Sequence, residues 1–407
     1  MKLTSPQRLG WTDQLLAELA MPAGTMVLTR SLTSGLTQRA GDPAGVFWGV
    51  GDRGPNIKPA DAIRRYGLAL LAPLAGAEGA KIMPLPDAGP AIARFRLVGD
   101  RVELEAVMPL RAPDGTLLSG LAPPTLAGME TEPVFAIDGK PFAPTANGVD
   151  TEGIAALPDG HFWIAEEYGP SLLLTGADGV VLKRIVPQGA GHLFAGSSIP
   201  VEENLPAISL ARKLNRGIEA LALSRDGATL FAAFQSPLAH PDRAAHEDGD
   251  TVRIWALDPE TAKFRAEYIY PLDAPLSFVR DCAAGPVAKS DVKVSELASL
   301  PDGSLLVLER VTLSTHIYRV SPDDTASTAA QFLDPDHRPT LEQRGQAGCA
   351  PVMAKQLVLS SDDHEQVCGD LEGMLALGDG NLILANDSDY GIEGAETQFW
   401  KFALPAA

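Results

Sequence analysis

The chain has 407 residues, of which 45% are hydrophobic and 21% charged, and it carries a formal net charge of −19. This composition is sufficient for a folded core and differs from that of a disordered chain. The acidity disfavours a nucleic-acid partner, because phosphate backbones bind surfaces rich in lysine and arginine. No stretch of about 18 apolar residues is present, so we expect no segment that spans a membrane.

Pairs of apolar segments joined by a glycine-containing turn recur along the chain. In chain order they read SGLTQRAGDPAGVFWGVGDRG at 34–54, GVDTEGIAALPDGHFWIAEEYGP at 148–170, NRGIEALALSRDGATLFAAFQ at 215–235, KVSELASLPDGSLLVLER at 293–310 and GDLEGMLALGDGNLILANDSDY at 369–390. Apolar alternation around an Asp-Gly turn is typical of a β-hairpin. The repeat therefore predicts five hairpins of similar length, the first of them the least regular.

A second predicted strand pair follows each of the first four hairpins. These pairs occupy residues 93–110, 171–188, 252–272 and 316–333. After the fifth hairpin only the short segment 397–407 remains, and TDQLLAELAMP at 12–22 resembles the missing strand. We therefore expect the N-terminal segment 12–22 to complete the last unit and to close a ring.

Four-stranded units with a ring-closing strand predict an all-β protein, a β-propeller that forms a single domain over residues 1–407. The long connections could each hold a further weak blade, so we favour six blades and allow five to seven. These connections are 111–149, 189–214, 273–292 and 335–369. A β-sandwich array and a β-helix are the alternatives.

Acidic residues bracket the predicted inner strands of the blades. Glutamates stand just before or within the first strand, at Glu152, Glu219, Glu296 and Glu372. Further polar residues end the second strand, namely Glu166, Glu309 and Asn386, and then Asp52, Glu167 and Asp387. In a propeller both positions lie at the same end of the channel, so the pattern predicts a ring of carboxylates around one mouth.

A ring of carboxylates either takes up protons or binds cations. Oxygen ligands without cysteine favour Ca²⁺, with Mg²⁺ or Mn²⁺ as alternatives and Zn²⁺ less suitable. The competing interpretation is that each glutamate caps a turn or pairs with a nearby arginine. Recurrence of the acids at equivalent positions favours the metal site.

Basic and aromatic residues accompany the acids in the sequence. Arg53, Arg216 and Arg310 could bind a phosphate or carboxylate in bidentate fashion, or they could simply neutralise the glutamates. Lys355 is a weaker candidate of the same kind. Among the histidines, His316 and His364 are the two that loops could bring to the channel.

The three cysteines, Cys282, Cys349 and Cys368, match no metal-binding spacing. Cys349 and Cys368 could form a disulfide that closes the segment between them, or all three could be buried free thiols.

Several of these strings together resemble the family called "esterase-like activity of phytase", over roughly residues 30–400. The strings are GVDTEGIAALPDGHFWIAEEYGPSL, GDRGPN, NRGIEALALS and DLEGMLALGDGNLILANDSDYG. The resemblance implies a β-propeller with a metal site at its acidic mouth, hydrolysis of phosphoric esters, and export from bacterial cells. It points to Asp52, Arg53, Asp150, Glu152, Glu166, Glu167, Glu219, Glu296, Glu309, Glu372, Asn386 and Asp387.

The chain departs from the pattern at two positions. Ser34 stands where other units have glutamate, and the third hairpin ends in Phe234 and Gln235 without an acid. We therefore expect a lopsided ring of acids with one open side for substrate.

Our leading hypothesis is a metal-dependent hydrolase of phosphate esters, in which water activated by the metal attacks phosphorus. Glu167 or Glu309 would orient that water, Arg53 and Arg310 would hold the phosphoryl oxygens, and His316 is a further catalytic candidate. One alternative is a calcium-dependent lactonase or arylesterase on the same site. The other is a non-catalytic propeller that a metal stabilises and that binds a partner.

The expected partner is a small-molecule ester, and we expect a monomer that binds neither nucleic acid nor membrane. The resemblance favours a periplasmic or secreted location. The first 19 residues lack the apolar segment typical of a signal peptide, which leaves the cytoplasm as the alternative.

Overall fold

The repeated hairpins form the inner strands of five β-sheets, arranged as the blades of a propeller. The computed structural model describes residues 6–323, 325–349 and 351–404. Its strands in chain order are β1 (Gln7–Leu9), β2 (Leu15–Met21), β3 (Gly24–Thr29), β4 (Gly35–Thr37), β5 (Val46–Val50), β6 (Lys81–Ile82), β7 (Ala91–Val98), β8 (Arg101–Pro109), β9 (Val134–Phe135), β10 (Thr151–Ala156), β11 (Phe162–Glu166), β12 (Ser171–Thr175), β13 (Val181–Pro187), β14 (Val201–Leu205), β15 (Ile218–Leu223), β16 (Leu230–Phe234), β17 (Thr251–Leu257), β18 (Phe264–Pro271), β19 (Lys293–Ser299), β20 (Leu305–Arg310), β21 (Thr315–Val320), β22 (Lys355–Ser360), β23 (Leu371–Ala376), β24 (Asn381–Asn386) and β25 (Phe399–Ala403).

Each blade is a mainly antiparallel sheet built from consecutive strands. Blade 1 contains β4, β5, β7 and β8, blade 2 contains β10 to β14, blade 3 contains β15 to β18, and blade 4 contains β19 to β22. Blade 5 has the order β1-β25-β24-β23. The inner strands β4, β10, β15, β19 and β23 pack side by side in that order, and β23 also packs against β4. The five blades therefore surround one central channel.

The helices are short and lie in the connections between strands. The α-helices are α1 (Pro59–Tyr66), α2 (Arg243–Asp248), α3 (Val279–Ala284) and α4 (Leu341–Gly348). The 3₁₀-helices are Ala69–Leu74, Gly191–Phe194, Ala207–Ala211, Pro275–Ser277, Lys289–Asp291, Ala330–Leu333, Ser361–Asp363 and Asp389–Gly391. Among the described residues, no helix is both long enough and apolar enough to cross a bilayer.

The favoured number of six blades is wrong, because the structure has five. The long connections contribute only short elements in the described part of the chain. Strand β9 lies in the first connection and pairs in parallel with β6, and β14 in the second adds a fifth strand to blade 2. Irregular backbone with isolated bridges fills much of the rest of these connections. From composition alone, such irregular segments cannot be told apart from a weak blade.

The N-terminal strand of blade 5 is not the predicted segment 12–22. Strand β1 pairs with β25, through partners that include Leu9 and Phe399. The predicted segment instead contains β2, which pairs with β3 as a separate hairpin. The short β1 is the physical reason for the error, since three residues carry no recognisable alternation.

The fourth strand of blade 4 also differs from the prediction. The pair predicted at 316–333 supplies only β21, and its partner is β22, which begins at Lys355. An insertion containing α4 separates the two strands in sequence. Loop closure over such a length costs only slightly more free energy than a tight turn, so the sheet tolerates it.

Large apolar side chains fill the spaces between neighbouring blades. Trp163 of blade 2 and Trp255 of blade 3 belong to one buried cluster that continues into blade 4. All three cysteines are free, so the disulfide between Cys349 and Cys368 is not formed. Cys349 is buried against the apolar side chain of Leu341 and its neighbours.

Small residues line the channel at the level where the inner strands approach most closely. A Cβ atom on Gly35 would lie 2.5 Å from the Glu152 carbonyl oxygen, and one on Gly153 would lie 2.7 Å from the Glu219 carbonyl oxygen. A Cβ atom on Gly373 would likewise lie 2.6 Å from the Thr33 carbonyl oxygen. With only five blades the channel is narrow, so the backbones pack directly against one another.

Candidate functional site

A β-bulge in the inner strand places an acidic side chain at the channel mouth. The register between the two inner strands slips between Thr151 and Ile154 in blade 2, between Ile218 and Ala220 in blade 3, and between Leu371 and Gly373 in blade 5. Glu152, Glu219 and Glu372 lie in these irregular stretches. Bulges re-aim a side chain out of the regular alternation, and they are frequent beside functional sites.

In blade 4 the equivalent position is Ser295 and not Glu296. There the register slips between Val294 and Glu296. Ser295 also stands as far from its turn glycine, Gly303, as Glu152 stands from Gly160. Grouping Glu296 with the other three glutamates was therefore wrong by one residue, and counting from the turn glycine would have shown it.

Glu296 lies deeper, on the axis of the channel. Its carboxylate accepts hydrogen bonds from the amides of Leu297 and Leu36, both at 3.0 Å. Leu36 belongs to β4, which does not neighbour β19 in the ring, so the second bond crosses the channel. Glu296 thus stands at the level that glycine occupies in three other blades, and it separates the acidic mouth from a cavity of about 230 Å³ at the opposite end.

Strand alternation separates the two acids that end the second strand of blade 2. Glu167 is directed toward the channel, whereas Glu166 lies on the other face of the sheet. Both oxygens of Glu166 are hydrogen-bonded, with the Tyr168 amide and the Ser171 hydroxyl each at 2.8 Å and the Arg184 guanidinium at 3.1 Å. This saturation leaves Glu166 without a free oxygen, so we do not include it in the metal site proposed below.

Glu309 occupies the same outward position in blade 4. It accepts from the Tyr270 hydroxyl at 2.7 Å and pairs with Lys355 at 2.8 Å. Lys355 also pairs with Asp273 at 2.8 Å, and the His316 ring nitrogen Nδ1 lies 3.1 Å from the same aspartate. Glu309, Lys355 and His316 therefore form one cluster in the outer part of blade 4.

The last two residues of the predicted ring are engaged with neighbouring loops. Asn386 accepts from the Gln398 amide at 2.6 Å and donates to the Glu396 carbonyl at 3.1 Å. Asp387 accepts from the Ser31 hydroxyl at 2.6 Å and from the Ser34 hydroxyl at 2.8 Å. His364 is in the segment that precedes blade 5, where its ring lies 5.8 Å from that of Phe402.

Five carboxylates converge on one side of the mouth, and we call them the acid cluster: Asp52, Asp150, Glu152, Glu167 and Glu219. They form two overlapping triplets that share Glu152, and within each triplet the oxygens lie within 4.8 Å of one another. All five residues are buried. Asp150 lies just before the inner strand in the sequence and was not among the predicted ligands, and the structure places it in one triplet with Asp52 and Glu152.

Three buried oxygens of the acid cluster have no hydrogen-bond partner in the described structure. They are Asp150 Oδ1, Glu167 Oε2 and Glu219 Oε2. A buried unpaired carboxylate oxygen costs free energy, because it gives up its hydration without compensation. The two triplets of carboxylate oxygens are arranged so that each could hold a cation.

Burial and mutual repulsion raise the pKa values in this cluster. Burial raises the pKa of Asp150 to about 8, despite the opposing charge of Arg53. Burial and the neighbouring charge of Glu219 raise the pKa of Glu167 to about 7. The pKa values of Asp52, Glu152 and Glu219 are raised as well, in each case first by burial. Without a cation, the cluster therefore retains protons near neutral pH.

Arg53 lies inside the acid cluster and partly neutralises it. Its Nη1 atom contacts Asp150, and its Nη2 atom lies 3.9 Å from Glu132. The guanidinium also stacks over the Tyr168 ring, 5.4 Å from its centroid. Its buried Nε has no hydrogen-bond partner in the described residues, so one donor remains for a bound anion.

Arg310 occupies the opposite side of the mouth, and its charge is already matched. It contacts Glu372, pairs with Asp370 at 2.8 Å and donates to the Ser295 hydroxyl at 2.9 Å. Glu372 is therefore committed to Arg310. The open carboxylates belong to blades 1 to 3, so the mouth is lopsided.

Glu132 was not found from the sequence. It lies in the connection 111–149, and its carboxylate accepts a hydrogen bond of 2.6 Å from the Tyr168 hydroxyl. It thereby supports both Tyr168 and Arg53. No pattern in that irregular connection distinguishes it from a surface glutamate.

Comparisons with known proteins give a family match over most of the chain. The model of the family described as "Phytase-like: Esterase-like activity of phytase" matches residues 31–390. An "uncharacterized secreted protein" of Arthroderma benhamiae is 28% identical over 327 residues, which covers 72% of this chain. The matched part is 57% of that relative's length.

Solved structures give weaker likenesses. An aldose sugar dehydrogenase of Streptomyces coelicolor in its PQQ-bound form is 11% identical, covers 99% of this chain and 98% of its own, and has a TM-score of 0.36. A catalytically inactive virginiamycin B lyase of Staphylococcus aureus is 9% identical, covers 97% and 82% respectively, and has a TM-score of 0.34. Likenesses of this size carry no conclusion about activity.

Proposed function

The chain belongs to the phytase-like family, esterase-like activity of phytase, and on that premise we propose that it is a metal-dependent hydrolase of phosphate esters. The observation that supports this proposal is the set of three unpartnered, buried oxygens that converge in the acid cluster. A divalent cation held by Asp52, Asp150 and Glu152 would satisfy the unpartnered oxygen of Asp150 and would reduce the repulsion that raises the pKa values of the cluster.

The residues that would hold the ion are Asp52, Asp150 and Glu152, one triplet of the acid cluster, with Glu219 beside Glu152. All their donor atoms are carboxylate oxygens, a set that suits Ca²⁺ best and also accommodates Mg²⁺ or Mn²⁺. When bound, such an ion supplies positive charge that polarises a phosphoryl group and acidifies water.

The side chains of the site bind and orient the reactants. Arg53, held by Asp150 and Glu132, presents its free Nε donor toward the cluster, where it would bind a phosphoryl oxygen. Glu167 has one free oxygen in the channel, which would accept a proton from the attacking water. Glu309 and His316 are assigned no part, since their polar atoms are occupied within blade 4.

Elemental analysis of gently purified protein tests the metal site. We expect about one tightly bound divalent ion per chain, and we expect it to be lost in the double variant Glu152→Gln plus Glu219→Gln. Glu103→Gln, at an exposed position of β8, is the matched control and should retain the ion. If no ion is found and added Ca²⁺ does not change the melting temperature, the proposed metal site is wrong.

A substrate panel tests the reaction class on the metal-loaded protein. We expect hydrolysis of p-nitrophenyl phosphate or bis(p-nitrophenyl) phosphate, and we expect Glu167→Gln to abolish it. Turnover of an acyl ester or a lactone without turnover of either phosphate would identify a lactonase or arylesterase instead. No turnover, with a metal that only raises the melting temperature, would identify a binding propeller.

We propose that the protein acts outside the cytoplasm as a monomer on a small-molecule ester. The support for the location is the secreted relative with which it shares 28% identity. Fractionation of the native host checks the location, and sedimentation of the purified chain checks the oligomeric state.

A further inference from the structure

A second cavity opens at the same mouth as the acid cluster, between blades 3 and 4. It has a volume of about 500 Å³. Its walls include Arg216, which precedes β15, and Lys293, the first residue of β19. The backbone after β20 and the end of α3 complete it.

The two acids in the cavity wall are tied to backbone amides. Asp281 accepts hydrogen bonds from Thr312, Leu313 and Ser314, the last at 2.7 Å. Asp291 accepts from the Ala288 amide at 2.8 Å. These carboxylates hold the loops in place, and neither one forms an ion pair with a cation of the cavity.

The two cations of the cavity have no ionic partner among the described residues. Arg216 contacts only the uncharged side-chain oxygen of Gln235. The Lys293 ammonium makes neither a hydrogen bond nor an ion pair within 4.0 Å in the described part of the chain. Burial, together with the like charges of Arg310 and Arg216, lowers the pKa of Lys293 to about 8. Neither cation has a direct ion-pair partner in the described structure, so both are available to an anion that enters the cavity.

This cavity adjoins the acid cluster. The charge of Arg216 interacts with those of Glu167 and Glu219, and the charge of Lys293 interacts with that of Glu219. A chain with a net charge of −19 repels phosphate unless the local field is reversed. Lys293 and Arg216 supply positive charge directly beside these carboxylates.

We propose that this cavity is an anion subsite, in which Lys293 and Arg216 bind the phosphate group of the substrate next to the acid cluster. As a substrate subsite it rests on the proposed function, but anion binding there is measurable without turnover. Lys293 is a point charge on a flexible chain, and Arg216 offers a planar set of donors, so together they suit a tetrahedral oxyanion.

Calorimetric titration with inorganic phosphate tests the subsite directly. The protein carries stoichiometric Ca²⁺, so that free calcium does not precipitate the phosphate. We expect Lys293→Gln and Arg216→Gln each to weaken phosphate binding about tenfold or more, as for the loss of a charged hydrogen bond. Lys263→Gln and Arg225→Gln, two exposed residues outside this cavity, are the matched controls and should bind phosphate as the wild type does.

Kinetics give a second readout. In Lys293→Gln and Arg216→Gln, KM for a phosphate ester should rise, whereas turnover of a neutral acyl ester, where present, should not change. Lys293→Met, which keeps the length and apolar stem of the side chain, gives the same comparison if Lys293→Gln fails to fold.

The outcomes separate the subsite from the proposed reaction. Wild-type protein that binds no phosphate, or folded variants that bind it as tightly as the wild type does, would overturn the subsite even if the protein hydrolyses esters. Phosphate binding that is lost in both variants, in a protein that hydrolyses nothing, would keep the subsite and remove the hydrolase.

Discussion

At the scale of single residues, alternation and register decide which acids face the channel. The sequence predicted acids around one mouth of the channel, and it grouped neighbouring residues that point in opposite directions. Glu166 and Glu167 are adjacent, and only Glu167 has a free oxygen in the channel. Strict alternation of side chains along the strand would have separated these two acids. The deeper position of Glu296 follows from the register shift between Val294 and Glu296.

The raised pKa values predict how the stability of the metal-free protein depends on pH. Asp150 and Glu167 bind protons more tightly in the folded chain than in the unfolded chain, with pKa values of about 8 and about 7. The folded state therefore loses stability as the pH rises from about 4 to about 8. Melting temperatures measured with a chelator should fall across this range.

Calcium should flatten that dependence, because an ion takes the place of the protons. A melting temperature that rises with pH in the presence of chelator would contradict the geometry of the acid cluster. Asp150→Asn supplies the internal check, since it removes one of the strongest contributions and should reduce the slope.

Arg310 is predicted to be structural. Its removal in Arg310→Met would leave the half-buried Glu372 without its partner and would free Asp370, at a cost of about 3 kcal/mol in the free energy of unfolding. Urea unfolding measures this loss, and Arg225→Gln at the opposite mouth should change stability by less than about 0.5 kcal/mol. Equal stability of the two variants would show that the Arg310 pairs contribute nothing.

At the scale of strands and hairpins, the sequence was most informative where the alternation was complete. All five repeated hairpins form inner strand pairs, and three of the four predicted second pairs are complete. The fourth pair failed because an insertion separates β21 from β22, and pairing between distant segments leaves no local signal. Short strands such as the three-residue β1 were missed because they are too short to show an alternation of apolar and polar residues.

The close approach of the inner strands predicts that the glycines of the channel resist substitution. Gly35→Ala would place a methyl group 2.5 Å from the Glu152 carbonyl oxygen, which is backbone and does not move easily. We expect a loss of about 1–3 kcal/mol, typical of overpacking, measured by urea unfolding. Gly378→Ala, where a Cβ atom meets nothing within 4 Å, is the control and should be near neutral.

At the scale of the whole molecule, the number of blades equals the number of repeated hairpins, which is five. The sequence predicted a propeller correctly, because each unit repeats the same alternation. It overestimated the blades, since long connections between units leave room for elements that the fold does not build. The family model matches residues 31–390, which is close to the part of the chain over which the sequence strings resemble the family.

The pairing of β1 with β25 predicts that the N-terminus contributes to overall stability. Leu9 is 2% exposed and packs with Phe399 in the core between blades 1 and 5. Leu9→Ala should therefore cost about 2–5 kcal/mol, as measured by chemical unfolding. Leu15→Ala in β2, where the side chain is 59% exposed, should cost far less. A reversed order of the two effects would restore segment 12–22 as the strand that completes blade 5.

The carboxylate of Glu296 has a consequence for traffic through the molecule. Its carboxylate accepts a hydrogen bond from the Leu36 amide across the channel, at a level where the backbones of the inner strands approach closely, so Glu296 blocks the axis of the channel. A solute that enters at the acidic mouth has to leave by the same mouth. Substrate and product would then compete for one entrance, so product release would limit the turnover rate.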